Sequence, residues 1–201
     1  MARSDRNRSC LACQPEFDAL IAASPEAARR WALLPRRRLA AGAALLRQGE
    51  TAEHVWMVRQ GLLRCYYLGD DGTERNRSFQ AEGAWVGCGA PPRPSTSPFT
   101  IEALEATEVV EMPYADLSAC LADLPDARAV LDDGLGSLLS RQATREAELL
   151  LLDATQRYQA FLQEYGDLVP RIALHHVASY LGITNVALSR IRARLGMVAM
   201  K

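Results

Sequence analysis

The sequence predicts an α+β protein: a block of short strands, then one long helix, then a terminal helix-turn-helix pair. Three observations carry this prediction. Between Arg37 and Pro113, short apolar stretches alternate with turn residues. From Pro125 to Asp153, apolar residues recur in heptads. Near the C-terminus a Gly182-Ile183-Thr184 turn joins two amphipathic segments.

Composition sets the outer bounds. The 201 residues suffice for one large domain or two small ones with their own cores. Hydrophobic residues make up 49% and charged residues 23%, the balance of an ordinary globular protein. No apolar run reaches the roughly eighteen residues of a membrane span, so no membrane partner is expected. The N-terminus, MARSDRNRSC, is basic and polar with no apolar stretch behind it. A secretory leader is therefore not expected, and a cytoplasmic location is. The five cysteines, Cys10, Cys13, Cys65, Cys88 and Cys120, are odd in number and mostly far apart. They do not make a disulfide framework and suit a reducing compartment.

The net charge of −1 hides a split. Residues 155–201 hold six basic residues against two acidic ones, while the rest of the chain is acidic. A basic tail of this kind either meets a polyanion or is a solvated face.

The elements follow in chain order. Phe17, Leu20, Ile21, Ala27, Trp31 and Leu34 suggest one or two short helices, broken at Pro25 and closed by Pro35. HVWMV, LLRCYYL and FTIEAL are rich in β-branched and aromatic residues, and turn signals separate them. Short strands at such spacing predict a sandwich, barrel or jelly roll. Asp71-Gly72 is the strongest hairpin signal. Leu131, Leu135, Leu138, Gln142, Arg145, Leu149 and Leu152 then mark the seam of a helix about 40 Å long. Such a seam either packs on the β domain or, as is expected here, pairs with a second copy of the chain; its polar middle would then fix the register or face a bound effector. A further helix is expected over Gln156–Tyr165 and another from about Leu174 to Leu181.

In the last helix Leu188, Ile191 and Leu195 share one stripe. Rotation by 100° per residue puts Val186, Ser189, Arg190 and Ala193 on the opposite face, flanked by Asn185, Arg192 and Arg194. Gly182 can end the preceding helix and Thr184 can cap this one. Small residues on the outer face allow close approach to a major groove. Arg190 suits guanine, Asn185 suits adenine, and Val186 suits a thymine methyl. Arg192, Arg194 and the amides at Thr184 are placed for phosphates.

These residues carry a resemblance to the Crp/Fnr family of bacterial transcription regulators. LLRQGETAEHVWMVRQGLLRCYYLGDDGTERNRSFQAEGAWVG is similar to the family's cyclic-nucleotide-binding-like β-roll. IEALEATEVVEMPYADLSACL resembles its closing strands and hinge helix, the heptad helix its dimerisation helix, and HHVASYLGITNVALSRIRARL its DNA-reading motif. The resemblance implies a jelly-roll-like sensor over 25–122 after an N-terminal segment 1–24, a dimerisation helix over 123–153 and a DNA-binding domain over 154–201. The family's base-reading positions fall on Asn185, Val186, Ser189 and Arg190. The implied partners are a near-palindromic double-stranded DNA, a second copy of the chain, RNA polymerase and an unidentified small effector.

The departures from the family's pattern matter as much. Members that bind cyclic AMP hold its phosphate with Gly-Glu and a later Arg-Ser pair. Here Gly87 is followed by Cys88, and Ser97-Pro98 stands where Arg-Ser would be. The phosphate's cation is missing, with Arg93 the one basic residue nearby. Gly87, Cys88 and Ser97 remain the candidate pocket wall, with Gln142 and Arg145 facing it from the long helix. Cys10 and Cys13 resemble the start of an iron–sulfur ligand set but lack the third N-terminal cysteine. The histidines, His54, His175 and His176, do not make a haem site, so no cofactor is assigned and no metal is expected. Few residues follow the reading helix before Lys201, so the family's β-hairpin wing is not expected. A regulator is thus expected, with a protein-binding module as the alternative; no catalytic constellation supports an enzyme.

Overall fold

The computed structural model describes residues 24–88, 94–123 and 127–197, together with 19, 21 and 22. Cys10, Cys13, Arg93, Pro125 and Lys201 lie outside the described residues. Helix α1, Pro25–Leu33, begins where Ser24 Oγ accepts the Ala27 N–H at 3.2 Å. Pro25 therefore starts the helix instead of breaking it, because a first-turn N–H has no intrahelical partner to lose.

The strands are β1 Arg36–Leu39, β2 Ala44–Leu46, β3 Thr51–Ala52, β4 His54–Gln60, β5 Leu63–Leu68, β6 Glu74–Gln80, β7 Trp85–Val86, β8 Ser95–Thr96, β9 Thr100–Ala103 and β10 Thr107–Pro113. They form two antiparallel four-stranded sheets, β1-β10-β4-β7 and β2-β9-β5-β6, with β3 and β8 paired separately. Trp56, Val58 and Val109 of one sheet pack with Leu63, Cys65 and Ile101 of the other in a single core. That is the jelly-roll-like half of an α+β fold. β5 and β6 form the expected hairpin around Asp71-Gly72, pairing Leu68 with Glu74. The β4–β5 turn requires Gly61: its φ is 103°, and an added Cβ would fall 2.4 Å from Thr107 Oγ1.

Helix α2, Tyr114–Asp123, follows β10. Its Tyr114 and Leu117 join Trp31 and Leu34 of the α1 region over Met57, Val110 and Met112. Helix α3, Ala127–Leu151, is the long helix. Helix α4, Ala154–Tyr165, opens with a capping box in which Asp153 and Gln156 bond each other's backbone. A 3-10 turn over Gly166–Arg171, with Pro170 inside it, leads to α5, Leu174–Leu181, and α6, Asn185–Arg194.

The helical C-terminal part docks on the β-roll through an aromatic cluster. Phe79 of β6 is fully buried and sits edge-on to Tyr165, with ring centroids 5.5 Å apart. Phe161 and Tyr180 complete the cluster, 5.3 Å from each other. Burial pushes the Tyr165 and Tyr180 hydroxyls well above their ordinary range. Beside the cluster, Arg171 donates two bonds to Glu82, at 2.8 and 2.9 Å, and reaches Glu105 as well. Those bonds hold the Glu82 carboxyl down to about 2. Phe79→Ala is expected to destabilise the protein by about 3–5 kcal/mol, a large buried aromatic being lost from between two parts. Denaturant melts should also show the β-roll and the helices losing their common transition; an unchanged single transition would contradict the docking role.

Candidate nucleic-acid interface

The turn between α5 and α6 is built by Gly182 and Thr184. Gly182 has φ 71°, a left-handed conformation that ends α5, and the Ile183 N–H returns to the Ala178 carbonyl at 3.0 Å. Ile183 is half-buried and packs against the docking core. Thr184 Oγ1 accepts the Ala187 N–H at 3.2 Å and starts α6. Leu188 and Ile191 are buried beneath that helix. Leu195, expected on the same stripe, is exposed instead, because α6 ends at Arg194 and Leu195 is already its C-cap. Met197 packs against the core in its place.

The outer face of α6 carries Asn185, Val186, Ser189, Arg190, Ala193 and Arg194, all exposed. Val186 is 60% exposed, an apolar side chain turned to solvent without a neighbour to cover it. Arg190 and Arg194 make no ion pair among the described residues. Arg192 differs: it is half-buried and donates from Nη1 to Tyr158 Oη at 3.3 Å. Its guanidinium is fixed on the scaffold before any ligand arrives. The helix thus presents two exposed arginines, Arg190 and Arg194, among small residues, and one anchored arginine, Arg192, at its flank.

The structure does not gather the five expected effector residues into one pocket. Cys88 is buried in the β-roll core with its Sγ turned to Ser95 Oγ, 3.9 Å away, while its carbonyl accepts from Tyr114 at 2.7 Å. Burial pushes the Tyr114 hydroxyl up to about 12. Ser97, only 1% exposed, spends its hydroxyl on the Phe99 carbonyl at 2.6 Å. Gly87 packs on Val55, which an added Cβ would meet at 3.3 Å. Gln142 and Arg145 lie elsewhere, in a cleft of about 1090 Å³ between the β5–β6 hairpin and the C-terminal helices. Even there Arg145 is engaged, bonded to Glu148 at 3.0 Å and stacked over the Tyr180 ring at 3.9 Å.

The cations that line this cleft from the β-roll are Arg75 and Arg77, with Tyr67 beside them. They lie away from the family's phosphate positions, and their one signal in the sequence is the alternating arginines of ERNRSFQ. The three histidines make no common site: His54 stacks on Trp56 in β4, and the His175 and His176 rings adjoin each other in α5.

The expected seam of α3 is partly covered within one chain. Leu131, Leu135, Leu138, Arg145 and Leu152 are half-buried against the protein's own chain, leaving Gln142 and Leu149 exposed. The large apolar residues turned outward are Leu139, 72% exposed, Leu150, 75%, and Leu151, 80%, with Leu149 at their edge. A heptad count finds a stripe but does not say which edge of it the chain itself covers.

The cyclic nucleotide-binding domain model matches residues 36–123, the β-roll. The transcriptional activator protein Anr of Pseudomonas protegens is 27% identical over 169 residues, spanning 79% of this chain and 69% of that protein. The fumarate and nitrate reduction regulatory protein of Escherichia coli is 25% identical over 181 residues, spanning 80% and 69%. FixK2 from Bradyrhizobium japonicum superposes with a TM-score of 0.71 at 21% identity, over 82% of this chain and 85% of that one. The β-roll is thus a cyclic nucleotide-binding domain, and over about four fifths of its length the chain is similar to Crp/Fnr-type transcription regulators. No helix among the described residues is long and apolar enough to cross a membrane.

The capping contact of α6 gives a direct check. Thr184→Ala is expected to cost about 1 kcal/mol of stability in a denaturant melt, since the Ala187 amide loses its partner. A Thr184→Ser variant should retain most of that stability; equal losses would mean that the cap is not the reason.

Proposed function

We propose that this regulator acts in the cytoplasm as a homodimer that reads a near-palindromic operator with α6, through Asn185, Val186, Ser189 and Arg190. Thr184, Arg192 and Arg194 contact the phosphates. The observation that carries the reading is the outer face of α6: small, exposed and basic, with an uncovered Val186. The division of labour follows the chain, with sensing in 25–122, pairing in 123–153 and DNA binding in 154–201. RNA polymerase is the partner that a DNA-bound regulator would address, and no catalytic role is assigned.

The β-roll does not bind cyclic AMP in the classical way in this reading. Cys88 and Ser97 are turned into the core and the Ser97 loop, so they offer no cradle for a phosphate. An effector, where one acts, would enter the cleft at Tyr67, Arg75 and Arg77, whose two guanidiniums favour an anion.

Two measurements test the reading. Arg190→Ala should cost about 1–3 kcal/mol per half-site and relax preference at one base position. Arg192→Ala should weaken selected and scrambled DNA alike and make the salt slope shallower by about one per half-site. Equal weakening of both DNAs by Arg190→Ala would reverse the base-reading assignment. Absence of any salt-dependent DNA binding by the unaltered protein would instead favour a protein partner for α6.

Pairing is tested separately. Leu139→Lys combined with Leu150→Lys touches side chains that are exposed within one chain, so folding should survive. Sedimentation is expected to give a monomer, and an unchanged dimer mass would place the pairing surface elsewhere.

A further inference from the structure

Helix α5 rests on β6 through more than apolar contact. Ser179 Oγ accepts the backbone N–H of Asn76 at 3.0 Å and donates to the Glu74 carbonyl at 2.8 Å. The buried Asn76 side chain donates from Nδ2 to the His176 carbonyl at 3.0 Å, and its Oδ1 accepts from Arg64 at 3.4 Å. Those two bonds fix which way the amide points. So oriented, Asn76 Nδ2 lies 3.3 Å from His176 Nδ1, and Arg64 Nη1 lies 3.4 Å from the same nitrogen. Two N–H donors converge on one ring nitrogen. Nδ1 must therefore offer its lone pair, and the ring hydrogen belongs on Nε2. A proton added at Nδ1 would face two donors and no acceptor, with a guanidinium beside it.

We propose that this contact is a proton-gated latch: neutral His176 ties α5 to the β-roll, and protonation of Nδ1 releases the reading domain from the sensor.

The charged groups around the ring come from four elements. β5 supplies Arg64, stacked over Tyr66 at 4.0 Å. β6 supplies Glu74 and β9 supplies Glu102, both bonded to Arg64, at 2.6 and 2.8 Å. α5 itself supplies His175, its ring centroid 3.9 Å away. Glu74 is the one group that favours a charged ring, and Arg64 already engages its carboxylate. Burial, Arg64 and His175 outweigh it and push His176 down to about 4.

The direction of the effect follows. An undocked His176, in water, titrates near its ordinary 6.5 and takes up the proton more readily than the docked one. The latch is therefore at full strength above about pH 6.5 and weakens as pH falls towards 4, by at most about tenfold per unit.

Amide exchange of Asn76 reads the latch directly, because that N–H is donated across the contact to Ser179. The reference is the Val58 amide, bonded within the β-roll to the Ala84 carbonyl at 2.9 Å. Corrected for intrinsic rates, the Asn76-to-Val58 exchange ratio is expected to rise about three- to tenfold between about pH 6.5 and 5.5. His176→Gln keeps an acceptor at that position but does not titrate, so it should flatten the dependence. Long-range proton–nitrogen correlation in the unaltered protein should show the Nε2–H tautomer and a His176 titration well below 6.5. A constant exchange ratio, an equal pH slope in H176Q, or titration of His176 at its ordinary value each overturns the latch. None of these readouts uses DNA, so failure here leaves the assignment of α6 untouched, and failure of that assignment leaves the latch standing.

Discussion

The structure depends on one outward-facing phenylalanine. Phe79 belongs to β6, yet its ring leaves the β-roll core and is fully buried among Phe161, Tyr165 and Tyr180 of the helical part. A sheet face that carries such a ring has to be covered, because an exposed phenylalanine among other apolar groups would leave a large wet patch. Covering it brings α4 and α5 onto the hairpin and sets where α6 can sit. The polar contacts follow from that placement. Arg171, Arg64 and Arg145 each find several acceptors at the rim of the aromatic cluster, where part-burial strengthens their bonds.

The hairpin β5–β6 consequently has two duties. Asn76 and Phe79 hold the reader, while Tyr67, Arg75 and Arg77 line the cleft against α3. Any occupant of that cleft touches the same strand that docks α5. If the cleft and the docked helices are coupled as proposed, no long pathway is needed, since only the length of β6 separates them. The equilibrium that such a strand can bias is the docking itself, a contact mixed enough in character to be altered by one charge.

Much of this was legible in the sequence, and the reasons are local. The α5–α6 turn follows from residues next to one another: Gly182 for the left-handed end, Thr184 for the cap, and a 3.6-residue period for the two faces of α6. The β5–β6 hairpin follows likewise from Asp71-Gly72. What sequence reasoning missed depends on tertiary contact. The heptad stripe on α3 is real, but the chain covers one edge of it, so Leu138 and Arg145 turn inward while Leu139 and Leu150 face out. Among the described residues at the family's pocket positions, the Cys88 thiol packs in the core and the Ser97 hydroxyl closes on its own loop. His176, read only as a poor haem ligand, gains its chemistry from Arg64 and Asn76, more than ninety positions away in the sequence.

Arginine shows why composition alone could not separate binding from structure. Apart from Lys201, every lysine-or-arginine position of the chain is arginine. A guanidinium presents several donors in a fixed plane, which suits a rim where one side chain must satisfy carboxylates, carbonyls and rings together. Arg64, Arg145 and Arg171 use it in that way, each with two or more partners inside the protein. The same geometry suits guanine edges and phosphates, so identical residues serve both purposes. Exposure and partnership decide between them. Arg190 and Arg194 stand on a helix face that carries no acid to pair with, beside an uncovered Val186. Arg64, Arg141, Arg145 and Arg171 are each paired with the protein's own acids, whereas the stretch 181–196 contains no acid at all, which is what favours another molecule as the partner of its charge.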